Sequence, residues 1–216
     1  NSPVVKRMSV ESAEICKLAV NCFITTKIAF ANMIGDTADR TPGADANDIL
    51  QAIGADSRIG GKCLKPGFGF GGPCFPRDNR ALGRHIKSVG IDPIIPFATD
   101  DANKLHTQLQ TQQYLDTDQQ EFEFADVAYK EGCTVPIIEE SQKLKIAYNI
   151  ALAGRKVTIR DRANIVLAVQ QQYGDIFDYV VDGDGSDSDV PQPHAAAQTS
   201  KSQGSMDSYG VKRLSS

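Results

Sequence analysis

The 216-residue sequence lacks several features that would place it in a special class of protein. No apolar run approaches the ~20 residues of a membrane-spanning helix, and residues 1–7 lack the apolar core of a signal peptide. The 23 Lys and Arg residues are outnumbered by 27 Asp and Glu residues, which disfavours a nucleic-acid binder that relies on bulk charge. We therefore expect neither a membrane nor a nucleic acid among the partners of this protein.

Paired cysteines are also absent. The five cysteines form an odd set with no C-x-x-C spacing, whereas disulfide frameworks use even sets and zinc sites use close pairs. We therefore expect free thiols, no metal site, and a reducing compartment such as the cytoplasm. The cysteines are Cys16, Cys22, Cys63, Cys74 and Cys133.

The fold class expected from the patterning is α/β overall, in three regions. Residues 1–118 read as helical, with apolar positions spaced by three and four from residue 12 to about 39. Residues 119–181 alternate as β-α-β-α-β, which is typical of a small, partial parallel (Rossmann-like) domain. Residues 182–216 have almost no large apolar side chains, so we expect a disordered tail. The predicted helices are 12–39, 47–53, 76–89, 97–115, 139–154 and 163–173, and the predicted strands are 122–129, 156–161 and 177–181.

The acidic part of the tail carries no recognisable ion site. Asp182, Asp184, Asp187 and Asp189 alternate with Gly and Ser. A calcium loop needs a D-x-D-x-D-G run with a distal Glu between two helices, and none is present. A solvated acidic linker is the favoured interpretation.

A glycine-rich loop at residues 65–74 carries the densest chemical signal. Gly67, Gly69 and Gly72 satisfy G-x-G-x-x-G, but no apolar strand precedes them, so the dinucleotide-binding interpretation fails. Cys74 ends the loop at the predicted start of a helix, where free backbone N–H groups and the helix dipole favour a thiolate. Asp78 follows one turn later on the same face. This pattern is typical of a nucleophile that attacks a carbonyl, although a buried structural cysteine remains an alternative.

Two further patterns bear on this loop. Lys17 and Asn21 share a face of the first helix, either as part of a solvated stripe or towards a polar cavity. A Cys-His hydrolase is disfavoured, because His85 lies ~13 Å or more along the helix from Cys74. Neither His106 nor His194 is linked to the thiol by the sequence.

Three segments resemble the UDP-glucose/GDP-mannose dehydrogenase family. Residues 12–21 and 26–32 resemble its central dimerisation helix, residues 56–60 resemble its D-x-R-I-G segment, and residues 69–78 resemble its G-F-G-G-[SP]-C-F-x-[KR]-D nucleophile loop. The resemblance is close over residues 8–92, is looser over residues 122–179, and leaves the tail out. It identifies the first region as a central helical domain and the second as part of a C-terminal nucleotide-sugar-binding domain.

The resemblance implies an NAD-dependent enzyme that oxidises the primary alcohol of a nucleotide sugar twice, through a cysteine thioester. UDP-glucose is the favoured substrate, with GDP-mannose and UDP-N-acetylhexosamines as competitors. A homodimer through the helix at residues 12–39 is also implied. The implied catalytic residues are Cys74, Lys17, Asn21 and Asp78, with Cys74 and Arg77 bordering NAD. The implied substrate-binding residues are Lys17, Asn21, Arg58, Lys65, Phe70, Gly71, Tyr129 and Lys130.

The sequence departs from the family pattern in several places. The N-terminal dinucleotide-binding domain is missing and the first residue is Asn, so we expect a fragment or truncated segment. Cys63 stands where an aromatic residue is usual, and Asp126 stands where a glycine is usual. Glu139 occupies the arginine position of the R-E-S segment. The alternative function is therefore a non-catalytic dimerisation module that retains the central domain of the family.

Overall fold

The computed structural model describes residues 4–130, 132–133, 135–182 and 212–213. The chain divides into two compact units, Asn1–Gln108 and Leu109–Ser216. The division falls within a helix, before the boundary that we predicted after residue 118.

Four helices build the first unit. They are α1 (Val10–Ala38), α2 (Ala46–Ala55), α3 (Phe75–Ser88) and α4 (Ile94–Leu115), which continues into the second unit. The Ser9 side chain accepts from the N–H of Ser12 at the start of α1, and the Asp45 side chain caps α2. Both are oxygen side chains at N-cap positions, where they satisfy N–H groups without a partner in the helix. The predicted helical character of this region is confirmed.

Helix α1 is unusually apolar for a helix at a surface. Among the described residues, it is the one helix long and apolar enough to cross a membrane by length and composition. Our expectation that no apolar segment approaches that length is therefore wrong for α1. Length and composition are weak evidence, since the core helix of a soluble protein meets the same condition.

A compact core lies where α1 meets α2 and the following loop. Ala31, Leu50 and Leu64 are buried together, with Ile34 and Ile53 packed against them. This core holds the middle of α1 against the segment that leads into the glycine-rich loop.

The second unit contains a four-stranded sheet in the order β3-β2-β1-β4. Strands β1, β2 and β3 are parallel, and β4 runs antiparallel to β1. Phe122 and Phe124 of β1, and Ile159 of β2, have no solvent exposure. The predicted β-α-β-α-β order is confirmed. The elements are β1 (Glu121–Ala125), α5 (Gln142–Leu152), β2 (Lys156–Asp161), α6 (Ala163–Tyr173), β3 (Asp178–Val181) and β4 (Lys212–Arg213), with a 3₁₀ turn at Gly174–Ile176.

Two expectations about this unit are wrong. The first strand ends at Ala125 rather than near Tyr129, because Asp126 adopts a φ of 50° and leaves the extended conformation. Residues 212–213 of the tail form β4 on the outer edge of β1, so the tail is not without structure there. Residues 183–211 and 214–216 lie outside the described residues, and with them His194 and the other tail aspartates.

Candidate active site

The Asp78 carboxylate on α3 forms hydrogen bonds with side chains of α1 and α3. Lys17 and Asn21 of α1 both donate to Oδ2 of Asp78, the Asn21 Nδ2 at 2.6 Å. Nε and Nη2 of Arg77 each lie 3.2 Å from Asp78 Oδ1. Only 2% of the Asp78 side chain is exposed. The sequence left open whether Lys17 and Asn21 belong to a solvated stripe or face a polar cavity. In the structure, both side chains contact the buried carboxylate of Asp78.

These contacts determine the ionisation of Asp78. Burial raises the pKa of its carboxyl, but the hydrogen bonds from Lys17, Asn21 and Arg77 together outweigh burial and hold the pKa below its ordinary value. Asp78 is consequently an anion near neutral pH, and it holds two cations in place.

Cys74 is exposed at the N-cap position of α3. Its carbonyl accepts from the N–H of Asp78 at 2.8 Å, and its side chain makes no capping hydrogen bond. Nη2 of Arg77 lies 3.8 Å from Sγ of Cys74. The thiol thus lies at the N-terminus of a helix and beside a guanidinium, and it is open to solvent. An exposed thiol in such surroundings can attack a carbonyl carbon.

The glycine-rich loop before Cys74 is held by side chains from α1 and α4. The Asn32 Oδ1 accepts from the N–H of Gly67 at 2.9 Å, and the Asn32 Nδ2 donates to the carbonyl of Phe68 at 3.4 Å. The Asn103 side chain contacts both the N–H and the carbonyl of Phe70, each at 2.9 Å. The Phe70 ring is buried and meets Phe75 edge-on. The loop therefore has a fixed shape on its protein side.

His106 joins the same loop to α1. Its Nε2 lies 2.8 Å from the carbonyl oxygen of Gly67, and its Nδ1 lies 2.8 Å from Oδ2 of Asp36. The His106 side chain is 5% exposed, and both ring nitrogens face oxygen atoms. This placement supports the sequence argument against a Cys-His hydrolase, because the ring contacts Asp36 and Gly67 rather than Cys74.

Two of the other implied substrate residues of the first unit, Arg58 and Lys65, are solvent-facing. Arg58 is 86% exposed and pairs with Asp56, whose pKa is lowered by hydrogen bonds from Arg58. Lys27 of α1 fixes this segment by donating to the carbonyls of Ile59 and Gly60. Lys65 is exposed. Gly71 is buried within the loop.

Tyr129 and Lys130 lie in the second unit, a few residues after β1. The Tyr129 N–H donates to the carbonyl of Ile137 at 3.0 Å, and Lys130 is exposed. Both follow the carboxyl end of a parallel strand, which is where ligands of α/β sheets bind.

The sequence analysis missed the side chains of α4 that reach the loop. Polar residues spaced by four, three and four are all buried on one face of this helix: Thr99, Asn103, His106 and Gln110. Polar residues are rarely buried without partners, so this periodicity was a signal for a polar contact. No group of three His, Cys, Asp or Glu side chains among the described residues could hold a metal ion.

Comparison with known proteins identifies similar sequences and folds. Residues 11–105 match the model of the UDP-glucose/GDP-mannose dehydrogenase family, central domain. UDP-glucose 6-dehydrogenase TuaD of Bacillus subtilis is 49% identical over 90 residues, which are 42% of this chain and 19% of that protein. UDP-glucose 6-dehydrogenase AglM of Haloferax volcanii is 39% identical over 103 residues, covering 48% of this chain and 24% of AglM. The chain thus spans about a fifth of the length of these relatives.

Solved structures extend the similarity into the second unit. A UDP-glucose dehydrogenase from Pyrobaculum islandicum superposes with a TM-score of 0.70 at 30% identity, covering 81% of this chain and 40% of that one. A GDP-mannose dehydrogenase from Pseudomonas aeruginosa has a TM-score of 0.51 at 24% identity, covering 82% and 42%, and supports the fold alone.

Proposed function

The chain belongs to the UDP-glucose/GDP-mannose dehydrogenase family through residues 11–105, and from this membership we propose that it carries the thiol part of a nucleotide-sugar 6-dehydrogenase site. The observation that supports the proposal is a cluster beside Cys74, in which Lys17 and Asn21 of α1 both donate to Asp78 of α3, the helix whose N-cap is Cys74. The names of the relatives favour UDP-glucose as the substrate, with GDP-mannose and UDP-N-acetylhexosamines as alternatives.

The proposed reaction converts the primary alcohol of the sugar to a carboxylate by two oxidations. After the first, Sγ of Cys74 adds to the aldehyde carbon, which forms a C–S bond and an oxyanion. Loss of hydride from that carbon leaves a thioester. Water then attacks the thioester carbon, the C–S bond breaks, and the thiolate and the carboxylate product are released.

Lys17 and Asn21 would stabilise the oxyanion formed beside Cys74. Each already donates to Asp78, but an ammonium has three donors and a side-chain amide has two, so both retain donors for a substrate oxygen. Asp78, with its lowered pKa, orients Lys17 rather than acting as a strong base. The same donors would orient the attacking water.

NAD, when bound, would accept the hydride in each of the two oxidations. Cys74 and Arg77 would border it, and the 64% exposed Arg77 side chain offers a cation that suits a diphosphate. The glycine-rich loop follows coil rather than a strand, so this loop does not form a dinucleotide-binding unit. We propose that another domain or chain supplies that unit.

We also propose a homodimer through the helix at residues 12–39. One side of α1 exposes Ile15, Phe23, Phe30 and Met33, with 41–69% of each residue accessible. These positions are spaced by eight, seven and three, so they lie on one stripe of the helix. Burying such a stripe against a second copy removes apolar surface from water. The five free thiols favour a cytoplasmic location.

This apolar stripe also supports a second candidate, a non-catalytic dimerisation module. Sedimentation at micromolar concentration tests the dimer, which we expect for the unmodified chain and not for Phe23→Asp. Ala13→Asp is the control, because it places the same charge at an exposed position of α1 about 120° around the helix from the middle of the stripe. A monomeric unmodified chain would contradict both the dimer and the module.

Alkylation of the cysteines with and without UDP-glucose tests the catalytic proposal. We expect the sugar nucleotide to slow alkylation of Cys74, resolved by peptide mapping, and to leave Cys16 and Cys63 unaffected. These two exposed thiols are internal controls in the same chain. If saturating UDP-glucose, GDP-mannose and UDP-N-acetylglucosamine all leave Cys74 unprotected, the substrate-binding proposal is wrong and the module is favoured.

A further inference from the structure

Three buried side chains on two helices hold the backbone of the glycine-rich loop. Asn32 of α1 and Asn103 and His106 of α4 are 2%, 6% and 4% exposed. We call these three residues the loop bracket. Each directs at least one polar atom at main-chain atoms of residues 67–70 and none at a side chain of the loop.

The bracket accepts hydrogen bonds from two amides of the loop. The N–H groups of Gly67 and Phe70 donate to Asn32 and Asn103, both at 2.9 Å. Within the part of the chain that the structure describes, the N–H groups of Gly69 and Gly71 donate to no protein acceptor. The loop is therefore fixed by one set of amides while a second set is left for a ligand.

His106 is itself held by a carboxylate. Its Nδ1 lies 2.8 Å from Asp36 Oδ2, and its Nε2 lies 2.8 Å from the carbonyl oxygen of Gly67. This chain of contacts runs from α1 through α4 to the start of the loop. A donor at Nε2 fixes the orientation of the Gly67 peptide, which a glycine would otherwise leave free.

We propose that Asn32, Asn103 and His106 are positioning residues that set the amides of Gly69 and Gly71 for a sugar nucleotide. The inference rests on the proposed function, because it assigns the ligand of these amides to the same site as Cys74. Glycine loses more conformational freedom on ordering than any other residue. A loop with four glycines in residues 67–72 therefore binds more tightly if it is ordered before the ligand arrives.

The test compares alanine variants in the bracket with a matched control on the same helix. Asn103→Ala and His106→Ala each remove contacts to the loop. Lys104→Ala removes an exposed side chain that pairs with Asp100 and Asp101 and serves as the control. His106→Gln retains a side-chain amide that can donate to the Gly67 carbonyl, and it also provides a milder variant if His106→Ala does not fold.

Two measurements on the full chain separate positioning from general stability. Hydrogen exchange of single amides, measured by NMR without ligand, should show Gly67 and Phe70 protected relative to Gly69 and Gly71. Asn103→Ala should abolish the protection at Phe70. Calorimetry with UDP-glucose should show Kd raised about tenfold by either alanine variant, the effect of losing about one hydrogen bond. Lys104→Ala should leave Kd unchanged, and His106→Gln should recover part of the loss.

Each outcome bears on one proposal or the other. If the unmodified chain binds UDP-glucose and the alanine variants bind as Lys104→Ala does, the bracket proposal is overturned while the proposed function stands. If the unmodified chain fails to bind, the substrate proposal fails, and amide exchange alone judges the bracket. Equal exchange at Gly67, Gly69, Phe70 and Gly71 in the unmodified chain would then overturn the bracket as well.

Discussion

Replacement of Asp78 by Asn removes the charge at the centre of the α1–α3 cluster while preserving the shape of the side chain. Asn presents one acceptor oxygen in place of two, so either the Arg77 guanidinium or the pair of Lys17 and Asn21 then faces an NH₂ group. Hydrogen bonds to charged groups contribute about 1.5–3 kcal/mol each. Because the Lys17 and Arg77 side chains are 56% and 64% exposed, solvent screening reduces the expected loss to about 2 kcal/mol.

The loss should depend on pH in a defined direction. The pKa of Asp78 is lowered in the folded state, so its stabilisation is complete above the unfolded value of about 3.9 and is lost as the pH falls through the folded value. The difference in unfolding free energy between the unmodified chain and Asp78→Asn should therefore be constant from about pH 7 to 5 and shrink in more acidic solution.

Thermal unfolding followed by the helical circular dichroism signal measures this effect. For a unit of about 100 residues, 2 kcal/mol corresponds to a decrease in Tm of about 8–10 °C. The matched control is Asp101→Asn, whose 68% exposed carboxylate pairs with Lys104 on the surface of α4 and should contribute less than about 0.5 kcal/mol. If the two variants lower Tm equally at pH 7, the cluster does not stabilise the protein in solution and our account of Asp78 is wrong.

Two further substitutions test the packing and the capping. Gly35→Ala would place a Cβ 2.9 Å from Cβ of Pro66 at the loop. Overpacking costs about 1–3 kcal/mol and the gain in helix propensity is about 1 kcal/mol, so we expect a lower Tm. A higher Tm would contradict the close contact between Gly35 and Pro66. Ser141→Ala removes a buried N-cap of α5 whose hydroxyl also donates to the carbonyl of Val127. Urea unfolding should show the free energy of unfolding lowered by about 2 kcal/mol. The exposed cap variant Ser9→Ala should lower it by about 0.5–1 kcal/mol. Equal losses would refute the argument from burial.

The second unit shows which parts of the fold the sequence predicts. The bounds of β2 and α6 agree with the predicted residues 156–161 and 163–173, because Gly154 and Gly174 flank them and the apolar period is clear. The first strand was extended too far because Val127 and Tyr129 follow it closely, although these apolar residues are out of phase with Phe122 and Phe124. The N–H of Val127 instead donates to Asp161 Oδ2 at 2.8 Å, and such a side-chain contact across the fold leaves no trace in local patterning.

The candidate site was likewise predicted from the sequence only in part. The spacing of Lys17 and Asn21 predicted a shared face, and Asp78 one turn after Cys74 was also predicted. That α1 and α3 bring these residues together came from the family resemblance, because no local pattern links residues some 60 positions apart. The contacts of Asn103 and His106 with the loop were not predicted, because their partners there are main-chain atoms. Main-chain donors and acceptors occur in every sequence, so such contacts leave no recognisable pattern.

Helix α1 carries the cluster residues, Asn32 and Asp36 on one side and the apolar stripe on another. A rise of 1.5 Å per residue puts Lys17 about 28 Å along the axis from Asp36. If α1 tilts as a rigid body by about 1° around Asp36, Lys17 moves by about 0.5 Å. That displacement equals the precision with which catalytic side chains in general must be held. In the proposed site, a partner that binds the stripe would therefore also position Lys17, and substitutions on the apolar surface would affect the proposed reaction without changing a residue of the cluster.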